Sequence, residues 1–388
     1  MFFWGLIMFS SCENATNSNR SKIEVLDLAS DFKADLSDLF DTVRIIPLET
    51  SDFSLVGIQI KKVEYFEDRF YLLNVLNSRS NILCFDKNGA FLFKIDNIGN
   101  GPGEYTYLGD FLIDKAQRKL VLFGGHGQVL YYNLDGQYLE RKTMPDESFL
   151  SNVAYYNDTV YIAKNNADLP PVGYNILGIC SRNLEIIDKY SVHYHKNFGD
   201  LGFVDLAINK DQIYYYDIAD TIYNITNRGD FNPSYVISQK KDLQNSKRIL
   251  LNKDFSGPDE AAKFMAELYR KKELICISSF FINDKWILLN SIEAPTVGFG
   301  YISSVLFYDR DEKKSYNLKN VSFDYWNIKS LNNIEVIGKS ENGFFLLMKD
   351  ELIDLDKKLL RKSLLSPDEI ALLVERTEED NPIIVEIK

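Results

Sequence analysis

Apolar and polar positions recur along the chain as a two-part unit. The first part is a polar turn residue, then an alternating apolar run. Copies are Asp68–Leu73, Arg118–Phe123, Asp158–Ala163, Asp211–Tyr216, Asp284–Leu289 and Asn342–Leu347. They begin 50, 40, 53, 73 and 58 residues apart. Each run predicts a strand, and its Asp or Asn predicts the preceding turn, because these side chains bond their own backbone there. The second part is an apolar run ending in a turn: Ile82–Gly89, Val129–Gly136, Ile222–Gly229 and Val305–Glu312, with weaker copies at Leu177–Asn183 and Leu352–Lys358. A closing Gly supplies the positive φ of a tight hairpin. A third strand follows several turns, at Phe91–Ile95, Tyr138–Arg141 and Glu185–Tyr190.

Small antiparallel sheets repeated six times predict an all-β fold, a six-bladed β-propeller. One such sheet cannot cover both its faces; a ring of them can. Two β-sandwich domains are the competing architecture, but they would not repeat the same two-part order six times. Closing the ring needs the ends of the chain to meet. Val43–Thr50 and Pro382–Lys388 both read as strands, expected in the same or adjacent blades. Two short helical insertions interrupt the pattern. Ser256 starts one, whose Ala261, Phe264, Met265, Leu268 and Tyr269 follow helical spacing; Ser366 starts the other. Both are expected on the rim or one face.

Composition agrees with an all-β reading: 23 Tyr and 26 Phe accompany only 3 Trp, and hydrophobic residues make up 45%. The formal net charge of −12 sets the chain against a phosphate backbone, so nucleic acid is not an expected partner. Cys12, Cys84, Cys180 and Cys276 form no CxxC pair, which argues against a zinc site and a disulfide framework. The last three lie in apolar runs and read as buried small hydrophobes.

Residues 1–11, MFFWGLIMFSS, are too few to span a bilayer, which takes ~20 residues. They suit the apolar core of a signal peptide. Ser10 and Ser11 directly before Cys12 resemble a bacterial lipoprotein cleavage site, although Lys or Arg is missing ahead of the run and Phe9 stands where Leu is usual. The expected organisation is a signal peptide over 1–12 ending at a lipidated Cys12, a polar tether over 13–22, and the propeller over 23–388.

Three stretches resemble a known family. Ile46-Pro-Leu-Glu-Thr50, Gly99-Asn-Gly-Pro-Gly-Glu-Tyr105 and Glu379-Asp-Asn-Pro-Ile-Ile-Val-Glu-Ile-Lys388 are similar to six-bladed β-propeller lipoproteins of Bacteroidetes-type bacteria. The resemblance covers roughly residues 23–388. It implies a periplasmic or cell-surface protein anchored to the outer membrane by lipid. It brings no reaction, because fold alone does not give function.

Candidate chemistry is sparse. The loop holding Gly101, Gly103, Glu104 and Tyr105 could turn backbone amides toward an anion, but it lacks the Lys-Ser/Thr of a P-loop. Its plainer reading is a crossover between blades, with Glu104 capping a turn. His193 and His195 would share one face of a strand and could hold a metal if a third ligand arrived, Asp200 and Asp205 being nearest in sequence. Their plainer reading is a solvated pair. His126, among glycines, reads as a turn residue. Tyr155-Tyr156 and Tyr214-Tyr215-Tyr216 could stack on sugars, though alternation sends half of each run into the core. No cofactor motif is present. These features favour a monomeric binding or interaction module that meets the membrane only through its lipid and takes a glycan or peptide. A hydrolase or lyase acting on polysaccharide or peptide at the channel mouth is the alternative, and a structural scaffold a third. Converging His or carboxylates there would favour catalysis; aromatics and amides would favour binding.

Overall fold

The computed structural model describes residues 23–388 except 58, 77–78, 145–148, 158, 166–173, 193–204, 227–228, 296–300, 323–333, 341, 349–365, 375 and 378. The chain opens with β1 (Glu24–Asp27), β2 (Ala34–Asp35), the short helix α1 (Leu36–Leu39) and β3 (Val43–Pro47). Blade 1 is then β4 (Gln59–Phe66), β5 (Arg69–Leu76), β6 (Arg79–Asp86) and β7 (Phe91–Ile95). Blade 2 is β8 (Leu108–Asp114), β9 (Lys119–Gly124), β10 (Gln128–Asn133) and β11 (Tyr138–Thr143). Blade 3 is β12 (Leu150–Asn157), β13 (Val160–Asn165), β14 (Tyr174–Cys180) and β15 (Ile186–Val192). Blade 4 is β16 (Asp205–Asn209), β17 (Gln212–Asp217), β18 (Thr221–Ile225) and β19 (Phe231–Ser238).

Two helices follow blade 4, α2 (Lys241–Asn252) and α3 (Pro258–Arg270). Blade 5 is β20 (Cys276–Ile282), β21 (Trp286–Pro295), β22 (Tyr301–Asp309) and β23 (Lys314–Asn317), with β24 (Val321–Ser322) just after it. Blade 6 begins with β25 (Glu335–Lys339) and β26 (Phe344–Met348); helix α4 (Pro367–Val374) precedes β27 (Ile383–Ile387). Blades 1, 2, 3 and 5 are four-stranded antiparallel sheets running outward in chain order, blades 4 and 6 each take an outer strand from the front of the chain, and the six sheets make a six-bladed β-propeller. The first strands of the blades, β4, β8, β12, β16, β20 and β25, pack against one another around the axis.

Two of the polar turn residues, Asp68 and Arg118, sit at φ 58 and 53 just before the second strand of their blades; in blade 4 the residue at positive φ is Lys210, at 52, and not Asp211. Alternation then splits each strand between two inter-blade cores. Tyr71 and Leu73 pack toward blade 2, whereas Phe70 and Leu72 pack toward blade 6. Six such cores lie between the six pairs of neighbours. Burying each large apolar side chain this way stabilises by about 1.5–3 kcal/mol, which no blade obtains alone.

The ends of the chain meet in one blade. β3 pairs antiparallel with β27, placing Ile46 opposite Ile384 and Val43 opposite Ile387, so the front of the chain supplies the outer strand of blade 6. The third strand of that blade is β27; the weak repeat at Leu352–Lys358 lies outside the described residues. Before β3, the chain is strapped to two other blades. β1 adds a fifth, parallel strand to blade 4, and β2 pairs with β24 beside blade 5.

Both expected helices are present, as α3 and α4, and α2 stands beside them. Ser256 sits one residue ahead of the N-cap Gly257, and its amide and hydroxyl both donate to Glu260, each at 2.8 Å. α2 and α3 cover a separate small core that includes Leu250, Ala261, Leu268 and Cys276.

Candidate ligand-binding face

The inner strands carry β-bulges. Register shifts occur at Ile60/Lys62, Leu108/Asp110, Ser151/Ala154, Ile277/Ser279 and Val336/Gly338. A bulge frees a backbone amide and re-aims the next side chain. Here the freed groups are gripped by a neighbouring blade. Asp110 of blade 2 accepts from the Val153 amide of blade 3 at 2.6 Å. Asp205 of blade 4 accepts from the Phe280 amide of blade 5 at 2.8 Å, from Leu206 at 2.9 Å, and from the Asn152 side chain of blade 3. Asn290 of blade 5 accepts from the Val336 amide of blade 6 at 2.8 Å and donates to the Val336 carbonyl at 2.7 Å. Lys62 of blade 1 donates to the carbonyls of Phe111 and Val153 at 2.7 and 2.6 Å. Burial pulls the Lys62 ammonium down, but the Asp110 and Glu64 carboxylates outweigh it and hold the group above its ordinary value.

Asp205 is the most perturbed acid of this girdle. Burial, only partly offset by its three donors, pushes its carboxyl up to about 6. The folded chain therefore holds this proton between roughly pH 4 and pH 6, where the unfolded chain has released it. Stability arising from this group is greatest at the acid end and falls as pH rises through that window. Asp205→Asn removes the group. In urea titrations, the wild-type stability minus that of the variant should fall from pH 4 to pH 6 and then level off; a flat difference would count against the burial. With each oxygen of Asp205 occupied by a backbone or side-chain donor, the geometry is that of an inter-blade clamp.

The two faces of the ring differ. One carries the crossovers from each outer strand to the next inner strand, together with α2 and α3. The other carries the turns from first to second and from third to fourth strands, whereas second-to-third turns such as Gly124–Gly127 lie on the crossover face. On the turn face, neighbouring turns are tied by exposed ion pairs: Arg118–Glu67 at 2.6 Å, Arg69–Asp135 at 2.7 Å, Lys87–Asp68 at 2.9 Å and Lys210–Asp284 at 2.6 Å. Each contributes at most about 1 kcal/mol. Among the described residues, Phe53, Leu55, Ile98, Tyr107 and Ile249 are exposed between blades, and Leu92, Tyr138, Leu139, Ile186 and Ile187 are exposed on outer strands.

The crossover face has an aromatic ledge where blades 2 and 3 begin. Tyr107 is 51% exposed, and its ring lies 6.4 Å from that of Phe149, which is 5.4 Å from the ring of His126. The turn Gly124–Gly127 lies under the ledge, and a Cβ on Gly125 would make ordinary contact with the Phe149 ring at 3.4 Å and with Tyr107 at 3.5 Å. His126 is exposed at φ 55, as a turn residue. Tyr107 and Phe149 lie in crossovers, where an aromatic has no periodic partner to mark it in the sequence.

The glycine-rich loop folds onto itself. Glu104 accepts from the Gly101 amide at 2.7 Å, and the Glu104 amide donates to the Gly101 carbonyl at 3.1 Å. Tyr105 is buried, its hydroxyl donating to the carbonyls of Ser80 at 3.0 Å and Ile95 at 3.2 Å. Gly103 lies against the Tyr138 ring at φ 73, and its carbonyl accepts from Tyr132. The loop thus joins blade 1 to blade 2. Tyr214, Tyr215 and Tyr216 are all buried, Tyr215 toward blade 3 and the others toward blade 5, which removes them as sugar-stacking surfaces. Cys84 and Cys276 are buried free thiols and Cys180 is half-buried; burial pushes the Cys84 thiol up to about 12. Cys12, His193, His195 and Asp200 lie outside the described residues, while Asp205 serves the inner girdle. Among the described residues, no group of three or more His, Cys, Asp or Glu is placed to hold a metal, and no helix is long and apolar enough to cross a membrane.

One family model, described as a domain of unknown function, matches residues 23–388. The chain belongs to the DUF4934 family. No curated protein matches it in sequence. A crystal structure of a Bacteroides fragilis NCTC 9343 protein described as exported is similar at a TM-score of 0.67 with 20% identity, covering 94% of this chain and 99% of that one. A Bacteroides vulgatus member of the DUF4221 family is similar at a TM-score of 0.54 with 11% identity, covering 90% and 97%. At these identities, the likeness of the DUF4934 chain to both is one of fold.

Proposed function

We propose that this DUF4934 protein is an extracytoplasmic binding module, held to the outer membrane by a lipid on Cys12, that takes a glycan or peptide on its crossover face. The observation that carries the reading is the aromatic ledge. Tyr107, Phe149 and His126 cluster on the crossover face, while exposed ion pairs tie the turns of the opposite face. Aromatic rings with nearby polar groups are the usual lining of a small-ligand site. The description of the similar Bacteroides fragilis protein as exported supports placement outside the cytoplasm. In this reading, residues 1–12 are a signal peptide ending at Cys12, residues 13–22 are a tether, and residues 23–388 act as a monomer without nucleic acid.

Two experiments test it. Cys12→Ser should move the protein from the membrane fraction to the soluble fraction and abolish its labelling with a fatty acid. Retention of label in the variant would refute the anchor. The released Cys12→Ser protein, applied to arrays of bacterial and host glycans and of peptides, should bind a related set on one of them. Binding to neither would refute the module.

A further inference from the structure

The crossover end of blade 1 carries two cations without a counter-ion. Lys61, in the bulge of β4, and Arg79, at the start of β6, are both exposed. Among the described residues, neither side chain makes a hydrogen bond or an ion pair. The chain is acidic, with a formal net charge of −12, so unpaired cations stand out on it. The acid whose charge reaches Lys61 is already taken: Asp110 pairs with Lys62 at 3.4 Å and accepts from the Val153 amide at 2.6 Å. Desolvation by the surrounding strands lowers the Lys61 ammonium below its ordinary value, with Asp110 opposing.

Apolar side chains flank these cations on both sides. In the connection from blade 6, Leu55 is 40% exposed. Its carbonyl accepts from Asn74, which also donates to Asn81, two residues beyond Arg79. The Val56 amide donates to Asn381 at 2.8 Å and the Gly57 amide to Asn74 at 2.7 Å, so pinned backbone presents Leu55. In the connection to blade 2, Tyr105 donates to the carbonyl of Ser80, next to Arg79, and the exposed Tyr107 follows two residues later beside Phe149.

Shape and charge together select a ligand. The Tyr107 and Phe149 rings are inclined by 58° and the Phe149 and His126 rings by 64°, so they share no plane to carry a run of sugars. Aliphatic Leu55 suits another side chain. Lys61 and Arg79 suit carboxylates, and the planar fork of Arg79 matches one directly. We infer that the ligand of the binding face proposed above, on which this step rests, is an acidic peptide segment, its apolar side chains on Leu55, Tyr107 and Phe149 and its carboxylates on Lys61 and Arg79.

The probe is an array of short synthetic peptides carrying Asp or Glu beside Phe, Leu or Tyr, each paired with its Asn or Gln counterpart. The Cys12→Ser protein should bind acidic members, lose their counterparts, and release the acidic members as salt rises. Lys61→Glu and Arg79→Glu should each weaken that binding roughly tenfold or more, with the urea midpoint unchanged. Equal binding of acidic and amide peptides, or full binding by both charge-reversed variants, overturns the inference. Binding of glycans but no peptide also overturns it and leaves the binding face standing, whereas binding of neither removes both.

Discussion

Lys247→Met is expected to cost about 3–5 kcal/mol of stability, the usual effect of stranding one member of a buried ion pair. Lys247 on α2 is 3% exposed and donates to Asp220, which also accepts from Gln239 at 3.2 Å. Burial raises the Asp220 carboxyl, and Lys247 opposes that rise. Removing the ammonium leaves a carboxylate in an apolar site under α2 and α3. Asp220 has φ 60, a conformation that Asn also tolerates. Lys247→Met combined with Asp220→Asn should therefore recover most of the loss. Urea unfolding of both variants reads the difference. Equal losses in the single and double variants would mean that the pair does not hold the helices.

Deleting residues 23–48 is expected to leave a chain that does not fold. The deletion removes Leu26, Leu36, Leu39, Phe40, Ile45, Ile46 and Leu48, all buried, and leaves β27 an open edge. At about 1.5–3 kcal/mol for each side chain, the loss matches or exceeds the 5–15 kcal/mol that keeps a typical domain folded. A permutant should separate ring closure from bulk burial. Thr42 and Lys388 exchange backbone hydrogen bonds of 3.0 and 3.1 Å, so a short turn can join them. Returning residues 41–48 after Lys388 should restore a cooperative transition that the truncated chain lacks. A truncated chain that unfolds at the wild-type urea midpoint would show that the ring needs no clasp.

The architecture was readable because the second and third strands of the blades keep strict alternation between two apolar cores, as Phe70 to Leu73 do. Ring closure was readable from the apolar runs around Ile46 and Ile384. The inner strands were not found by the repeat. The bulges after Ile60, Leu108, Ser151, Ile277 and Val336 break the period of two and put Lys62, Asp110 or Ser279 where an apolar residue would be sought. α2 was missed because its sequence, KDLQNSKRILLN, is held by one buried ion pair and a narrow apolar stripe. The aromatic ledge was invisible for a different reason. Tyr107, His126 and Phe149 come from separate connections, and only the ring brings them together. Pattern reading instead pointed to Tyr214–Tyr216, whose alternation places them inside.

The most direct test compares the faces. The Cys12→Ser protein is immobilised and its affinity for the strongest array ligand measured alongside Tyr107→Ala, Phe149→Ala and Lys87→Ala. Loss of at least tenfold in the two ledge variants, with Lys87→Ala binding as before, is the expected result. Undiminished binding by both ledge variants, or loss on changing the turn face alone, would contradict a binding site on the crossover face.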